Sequence, residues 1–233
     1  VTDDKGYIYV AGTWMTGPDG MNWILTKLSP TKDTIFNRII NGSLNGDDIF
    51  GNMSIDINNN IYLAGSIATD STHSSVAIIK FNSSGVLQWQ FLQTDEEGLN
   101  IAKDVLIDSL GAVYFSSEHQ EPISNAFVTK LSSSGIEIWN FNISTSGAES
   151  IVGIDFFIDG IGLACNVNYE FSSIYIARLD LNGELVYDDL YSSEYSRNAF
   201  CNDMLVYNEN IYITGSLVSE TSNTDVLTIN WNS

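Results

Sequence analysis

An all-β fold is predicted by three features of this 233-residue sequence. A short apolar phrase recurs along its whole length: IYVAG from Ile8, IYLAG from Ile61, VYFSS from Val113, IGLAC from Ile161 and IYITG from Ile211. Each phrase is followed by a second β-branched and aromatic run, and no segment sustains a helical period. Turn sequences, several with glycine, punctuate the runs at matching offsets. A self-similar period near fifty residues marks a repeat architecture, and four short antiparallel strands per period is the plan of a β-propeller blade.

The elements follow one order in every repeat. A strand leads into an Asp-bearing turn, as in SIDINNN at Ser54–Asn60 and LIDSLGA at Leu106–Ala112. The phrase is then the second strand, its Ile, Tyr and Val filling the space between neighbouring sheets. After a polar loop the third strand begins at Trp23, Val76, Ala126, Ile174 and Val226. The turns NSSG (Asn82–Gly85), SSSG (Ser132–Gly135) and LNG (Leu181–Gly183) close three of these strands, glycine supplying the positive φ that such turns need. An aromatic stands four residues past each glycine: Trp89, Trp139 and Tyr187, with Phe36 in the matching place of the first copy. Trp89 and Trp139 are therefore expected on outermost strands. The repeat boundaries fall near 1–46, 47–98, 99–147, 148–196 and 197–233 of a single domain or part of one. This count begins with an innermost strand at Val1 and leaves the fifth repeat without its outer strand after Trp231, so that a partner or further sequence is expected to complete it.

The pattern D-x-x-x-N-I-Y-x-A-G, then K-[LF] before a turn, then G-x-x-x-W, resembles the SBBP-type β-propeller repeat of bacterial and archaeal proteins. Asp56 to Gly65, Lys80-Phe81 and Gly85 to Trp89 carry the resemblance most fully, and Asp108, Lys130-Leu131 and Gly135 to Trp139 nearly as well. The fourth copy departs, with Gly162 for the tyrosine, Arg178 for the lysine and a shortened turn. The resemblance covers essentially the whole chain. It implies a propeller in a cell-surface or extracellular setting, with no shared catalytic motif.

Composition narrows the partners. Nine Lys and Arg against 29 Asp and Glu give a formal charge of −20, which repels phosphate backbones and anionic membrane surfaces. Nucleic acid is thus no expected partner, and no stretch is long and apolar enough for membrane insertion as a helix. The first residues, Val1-Thr2-Asp3-Asp4, do not resemble a signal peptide and read as a processed or excerpted product. Two cysteines, Cys165 and Cys201, are too few for a disulfide scaffold and lack metal-site spacing, so they are expected as small buried residues or as a single bridge.

Four of the nine basic residues, Lys27, Lys80, Lys130 and Arg178, recur at one place. A ring gathering an anion is one reading; a strand-end device is the favoured one, each stem packing while its charged head pairs with a neighbouring turn. Asp3, Asp56 and Asp108 recur before the phrase, where an Asp that bonds its own turn is sufficient explanation. Those runs lack the full spacing of a calcium loop, so no metal and no cofactor are expected.

Binding residues are sought in the longer loops, because loops on rigid scaffolds carry function. Thr13–Asn22, Ser117–Pro122 and Asn166–Phe171 join second to third strands, while NGDD (Asn45–Asp48) and TDEEG (Thr94–Gly98) join repeats. Trp14 and Tyr169, with the carboxylates Asp47 and Asp48, are the candidates for holding a sugar or a cation. The two histidines, His73 and His119, lie in such loops of separate repeats, and no G-x-S-x-G, H-E-x-x-H or phosphate-loop motif occurs. Sequons stand at Asn41, Asn52, Asn82 and Asn142; Asn82, Asn41 and Asn142 are the glycosylation candidates of an exported chain, while Asn52 enters an innermost strand. The expected function is a noncatalytic surface or secreted module for assembly or recognition, binding other protein chains or copies of itself. A carbohydrate-binding propeller and a quinoprotein- or lyase-like enzyme are the alternatives.

Overall fold

A computed structural model describes residues 1–233 apart from 16, 18–19, 43–45, 71, 94–97, 121–123, 193–197, 219–223, 233 and the side chain of 232. The loops Ser117–Pro122 and Thr94–Gly98 thus lie partly outside the described residues. The fold is all-β and propeller-like, built from five antiparallel sheets. The first comprises β1 (Ile8–Met15), β2 (Met21–Leu28) and β3 (Thr34–Ile40). The second runs β4 (Ile49–Ile55), β5 (Ile61–Ala68), β6 (Ser74–Phe81) and β7 (Leu87–Gln93). The third has β8 (Asn100–Ile107), β9 (Val113–His119), β10 (Asn125–Leu131) and β11 (Glu137–Ile143) in order. β12 (Ala148–Phe157), β13 (Gly160–Asn168), β14 (Ser172–Asp180) and β15 (Leu185–Tyr191) make the fourth. β16 (Asn198–Tyr207), β17 (Asn210–Val218) and β18 (Thr224–Asn232) make the fifth.

By contact density the chain forms two compact units, Val1–Pro122 with Lys130–Ile138, and Ile123–Thr129 with Trp139–Ser233. In the first, β5 is buried along its entire length. Its alternate residues serve two cores: Ile61 and Leu63 join Trp23, Leu25 and Phe81, while Tyr62 and Ala64 join Val105, Val113 and Phe115. A strand covered on both faces reads as a continuous apolar run, which is why the phrase repeats without polar alternation. In the second unit Ile174, Ile176, Ile211, Ile213 and Cys201 form a comparable core. Cys165 and Cys201 are both unbridged and buried.

The innermost strand expected at Val1 is reduced to a short antiparallel bridge: Val1 exchanges backbone bonds with Tyr9 at 3.0 and 2.8 Å and Thr2 bridges Ile8 before the Asp3–Tyr7 turn. The turns themselves are built alike. Asp56 Oδ1 accepts the N–H groups of Asn58 and Asn60, and Asp108 Oδ1 those of Leu110 and Ala112. Asn82 and Asp180 repeat this at the third-strand turns, where Gly85 and Gly183 adopt φ of 73° and 85°. In the first repeat Lys32 holds the equivalent conformation, φ 68°, without the glycine.

The second-strand tyrosines complete the Asp motif. Tyr9 and Tyr62 donate their hydroxyls to Asp3 and Asp56 at 3.1 Å, and Tyr114 reaches Asp108 at 3.5 Å. The recurrent lysines lie over these rings, 4.9 to 5.0 Å from the centroids of Tyr9, Tyr62 and Tyr114. Each ring thus offers its face to a cation and its hydroxyl to a carboxylate. In the fourth copy Gly162 removes the ring, and a Cβ there would come 2.9 Å from Phe157. Phe157 instead lies 4.3 Å beneath the Arg178 guanidinium, which pairs with Asp159 and reaches Glu209 at 3.7 Å.

Candidate functional site

The segments that lead into innermost strands are tied to the third strand of the preceding sheet. Asp48 donates its N–H to Met21 O at 2.7 Å, while Oδ1 and Oδ2 accept from Ala68 N and Gly42 N, each at 2.8 Å. Asn100 takes the corresponding place one repeat later, its N–H bonded to Ser74 Oγ and its amide to Ser74 O. Glu149 is tied to Ser124, and Asn198 to Ser172. Polar residues stand at these four positions because a strand entering from solvent must satisfy main-chain groups at a buried seam.

In the first unit these ties floor a rim cavity of about 740 Å³. Gly46 and Asp47 form one wall, the β5–β6 loop with Asp70, Thr72 and His73 another, and Leu99 to Ile101 with Lys103 a third. Lys103 is the extra residue of a bulge between Ala102 and Asp104, which re-aims its side chain. Its ammonium pairs at 3.2 Å with the buried Glu118 carboxylate.

His73 is the chemically distinctive group. Its Nδ1 lies 2.6 Å from Asp70 Oδ2, and Asp70 Oδ1 accepts from the backbone N–H groups of Thr72 and His73 and from Thr72 Oγ1. The Thr72 amide and the His73 ring, with the remaining bonds of the loop, hold the Asp70 carboxyl well below its usual range. Asp70 therefore stays ionised and orients the imidazole, an arrangement suited to proton exchange or hydrogen bonding through Nε2. Among the described residues, the hydroxyls adjacent to it in sequence are engaged. Thr72 Oγ1 is spent on Asp70, and Ser74 Oγ donates to Asn100 O at 2.9 Å.

The sequence-derived candidates separate on this geometry. Asp47 lines the cavity, with Oδ1 accepting from Met21 N at 3.0 Å. Asp48 is completely buried beneath it, both oxygens engaged by backbone amides, so it positions the walls and does not face a ligand. Burial raises its carboxyl above the usual value, Asp47 adding to the effect against the two amides. Trp14 is exposed at the end of β1 and does not line the cavity. Tyr169 belongs to the second unit and is 71% exposed between β13 and β14. Asn41 and Asn142 are exposed; Asn82 is half-buried with its carbonyl in its own turn. Asn52 is exposed on β4, its amide donating to Asp104 at 2.7 Å. Among the described residues no cluster of three His, Cys, Asp or Glu is placed to hold a metal ion.

Sequence reasoning missed the Asp70–His73 pair, although its three-residue spacing in a loop was visible. It also missed the ties at Asp48, Asn100, Glu149 and Asn198, whose common position in the period was the available signal.

No family model matches the chain, and no curated protein does. Solved structures do share the fold. A protein of unknown function from Dyadobacter fermentans is 10% identical with a TM-score of 0.58, covering all of this chain and 75% of its own. BBS1N, solved in complex with ARL6DN, is 11% identical with a TM-score of 0.50 over 95% of this chain and 66% of that one. An apocarotenoid oxygenase of Synechocystis is 10% identical with a TM-score of 0.47 over 90% and 58%. The first two similarities speak for the fold alone.

Proposed function

We propose that the chain is a noncatalytic β-propeller module of SBBP type, five blade repeats with the last lacking its outer strand, that acts in assembly or recognition at the cell surface or outside the cell. The observation that carries this reading is the character of the outer strands. β3 exposes Ile35 and Ile39, β7 exposes Leu87 and Leu92, β11 exposes Ile138, and β15 exposes Leu185, Val186 and Leu190. Each ends its sheet, and β7 contains no charged residue at all. Sheet edges are ordinarily blunted by lysine, proline or cover, and apolar unblunted edges are templates for strand addition. The occupant we favour is an extended segment of another polypeptide, with basic residues that complement a chain of formal charge −20.

The alternatives fare less well on the cavity. A sugar site calls for stacking aromatics, and among the described residues none of Trp, Tyr or Phe lines the rim cavity. An enzyme calls for converging basic, acidic and histidine groups, which Lys103, Asp70 and His73 supply. Lys103 is already paired with Glu118, however, which favours a binding role.

A photo-reactive amino acid placed at Gln88 on β7 and at Ile138 on β11, in the native host, tests the reading. Covalent adducts with another polypeptide are expected at both positions. Adducts confined to a control position in the rim cavity, Thr72, would overturn it.

A further inference from the structure

At the opposite ends of β5 and β6 from the rim cavity, hairpin turns of neighbouring sheets face one another across crevices. Two of these occupy corresponding places in successive repeats of the first unit. One, about 200 Å³, sets Lys80 against two carboxylates, Asp56 and Asp108. The other, about 530 Å³, sets Lys5, Lys27 and Arg38 against Asp3 alone among the described residues. Three of the nine basic residues of a strongly acidic protein thus share one crevice.

The single carboxylate is spent on its own turn. Asp3 Oδ1 accepts the N–H groups of Lys5 and Tyr7, and Oδ2 accepts the Tyr9 hydroxyl. The cations retain donors. Lys27, only 8% exposed, gives one bond to Ser83 O at 2.9 Å and has two further N–H groups, its ammonium lying 4.5 and 4.9 Å from the Tyr7 and Tyr9 ring centroids. Arg38 bonds Gly85 O through Nε and Asn37 O through Nη1, each at 2.8 Å, leaving Nη2. The Lys5 side chain is exposed. Burial lowers the Lys27 ammonium from its ordinary value, and Lys5 adds to this while Asp3 opposes it. A buried cation repelled by a second one gains most from an anion.

We propose that this crevice binds a small phosphate-bearing molecule, its oxyanion held by Lys5, Lys27 and Arg38 and by the hydroxyls of Ser83 and Ser84. Its volume suits a small organic ligand. The net negative charge of the chain does not forbid this, because charges beyond about 8 Å are largely screened at physiological salt. The lysine position common to four repeats is thus a strand-end device in general and, in this first copy, part of an anion site.

Titration of the whole chain with inorganic phosphate tests the assignment, followed by calorimetry and by the amide shifts of Ser83, Ser84 and Gly85. Saturable millimolar binding with shifts centred on those amides is expected. The double variant K5Q/R38Q should weaken it roughly tenfold, about 1.4 kcal/mol, while K80Q in the acidic crevice leaves it unchanged. Because Arg38 also braces the Gly85 turn, K5Q alone serves as the second variant, with folding checked by circular dichroism. Absence of saturation, unchanged affinity in folded K5Q, or equal weakening by K80Q would each overturn the proposal.

Discussion

Trp89 lies across Gly135. The indole Nε1 donates to Ser133 O at 3.0 Å, and a Cβ built on Gly135 would meet the ring at 2.8 Å. Phe36 covers Gly85 and Trp139 covers Gly183 in the same way, Trp139 also donating to Leu181 O at 3.1 Å. An outer-strand aromatic thus clasps the third-strand turn of the next sheet. The glycine is needed twice there, for its positive φ and for the room it leaves.

Gly135→Ala and Gly111→Ala separate these two needs. Both residues have strongly positive φ, 82° and 83°, but the nearest atom to a Cβ at Gly111 is Ser133 Cβ at 3.4 Å. Gly111→Ala should cost about 1 kcal/mol through backbone strain. Gly135→Ala should cost a further ~2 kcal/mol from the displaced indole. Urea denaturation of the two variants reads the difference, and equal losses would mean that the ring is not held over the turn.

Asp56, Tyr62 and Lys80 act as one unit. Asp56 receives the amides of Asn58 and Asn60, the Asn60 side chain and the Tyr62 hydroxyl. Tyr62→Phe loses only the last of these and should cost about 1 kcal/mol. Asp56→Ala opens the turn and should cost about 3 kcal/mol, the bonds to an ionised acceptor being the stronger kind. The double variant should cost less than the sum; strict additivity in thermal unfolding would refute the linkage.

Asp48 gives the chain a pH signature. Its carboxyl is raised above the usual 3.8 by desolvation, with Asp47 adding and the Ala68 and Gly42 amides opposing. The folded state therefore holds this proton more tightly than the unfolded state does. The associated stability is fully present below the ordinary carboxylate value and is lost as pH rises through the raised one. Stability of the wild type relative to Asp48→Asn should accordingly fall between acid and neutral pH. A flat or rising difference in denaturation midpoints would contradict the buried placement.

The sequons differ in access. Asn82 opens a turn, its side-chain carbonyl accepting from Ser84 and Val86; Asn52 gives its amide to Asp104 on the neighbouring innermost strand. Secreted from a glycosylating host, the chain should carry glycan first at Asn82, with Asn52 bare. Glycopeptide mass spectrometry showing Asn52 occupied and Asn82 empty would reverse this assignment of faces.

The sequence by itself determined what depends on neighbours along the chain. Apolar phrases covered on both faces declare strands, Asp and Asn at a fixed offset declare turns, and Gly85, Gly135 and Gly183 declare positive φ, because each is a short-range steric or hydrogen-bonding demand. The tertiary structure decided what depends on neighbours across sheets. Asp48 looked like an exposed loop carboxylate until β5 supplied the Ala68 amide that buries it. Lys27 and Lys80 occupy one position of the repeat. Yet one shares its crevice with Lys5 and Arg38 and the other with Asp56 and Asp108, because turn residues brought up from adjacent sheets set the local charge. His73 and Asp70 sat within view, but which loops would wall their cavity rests on packing between sheets, which no local pattern encodes.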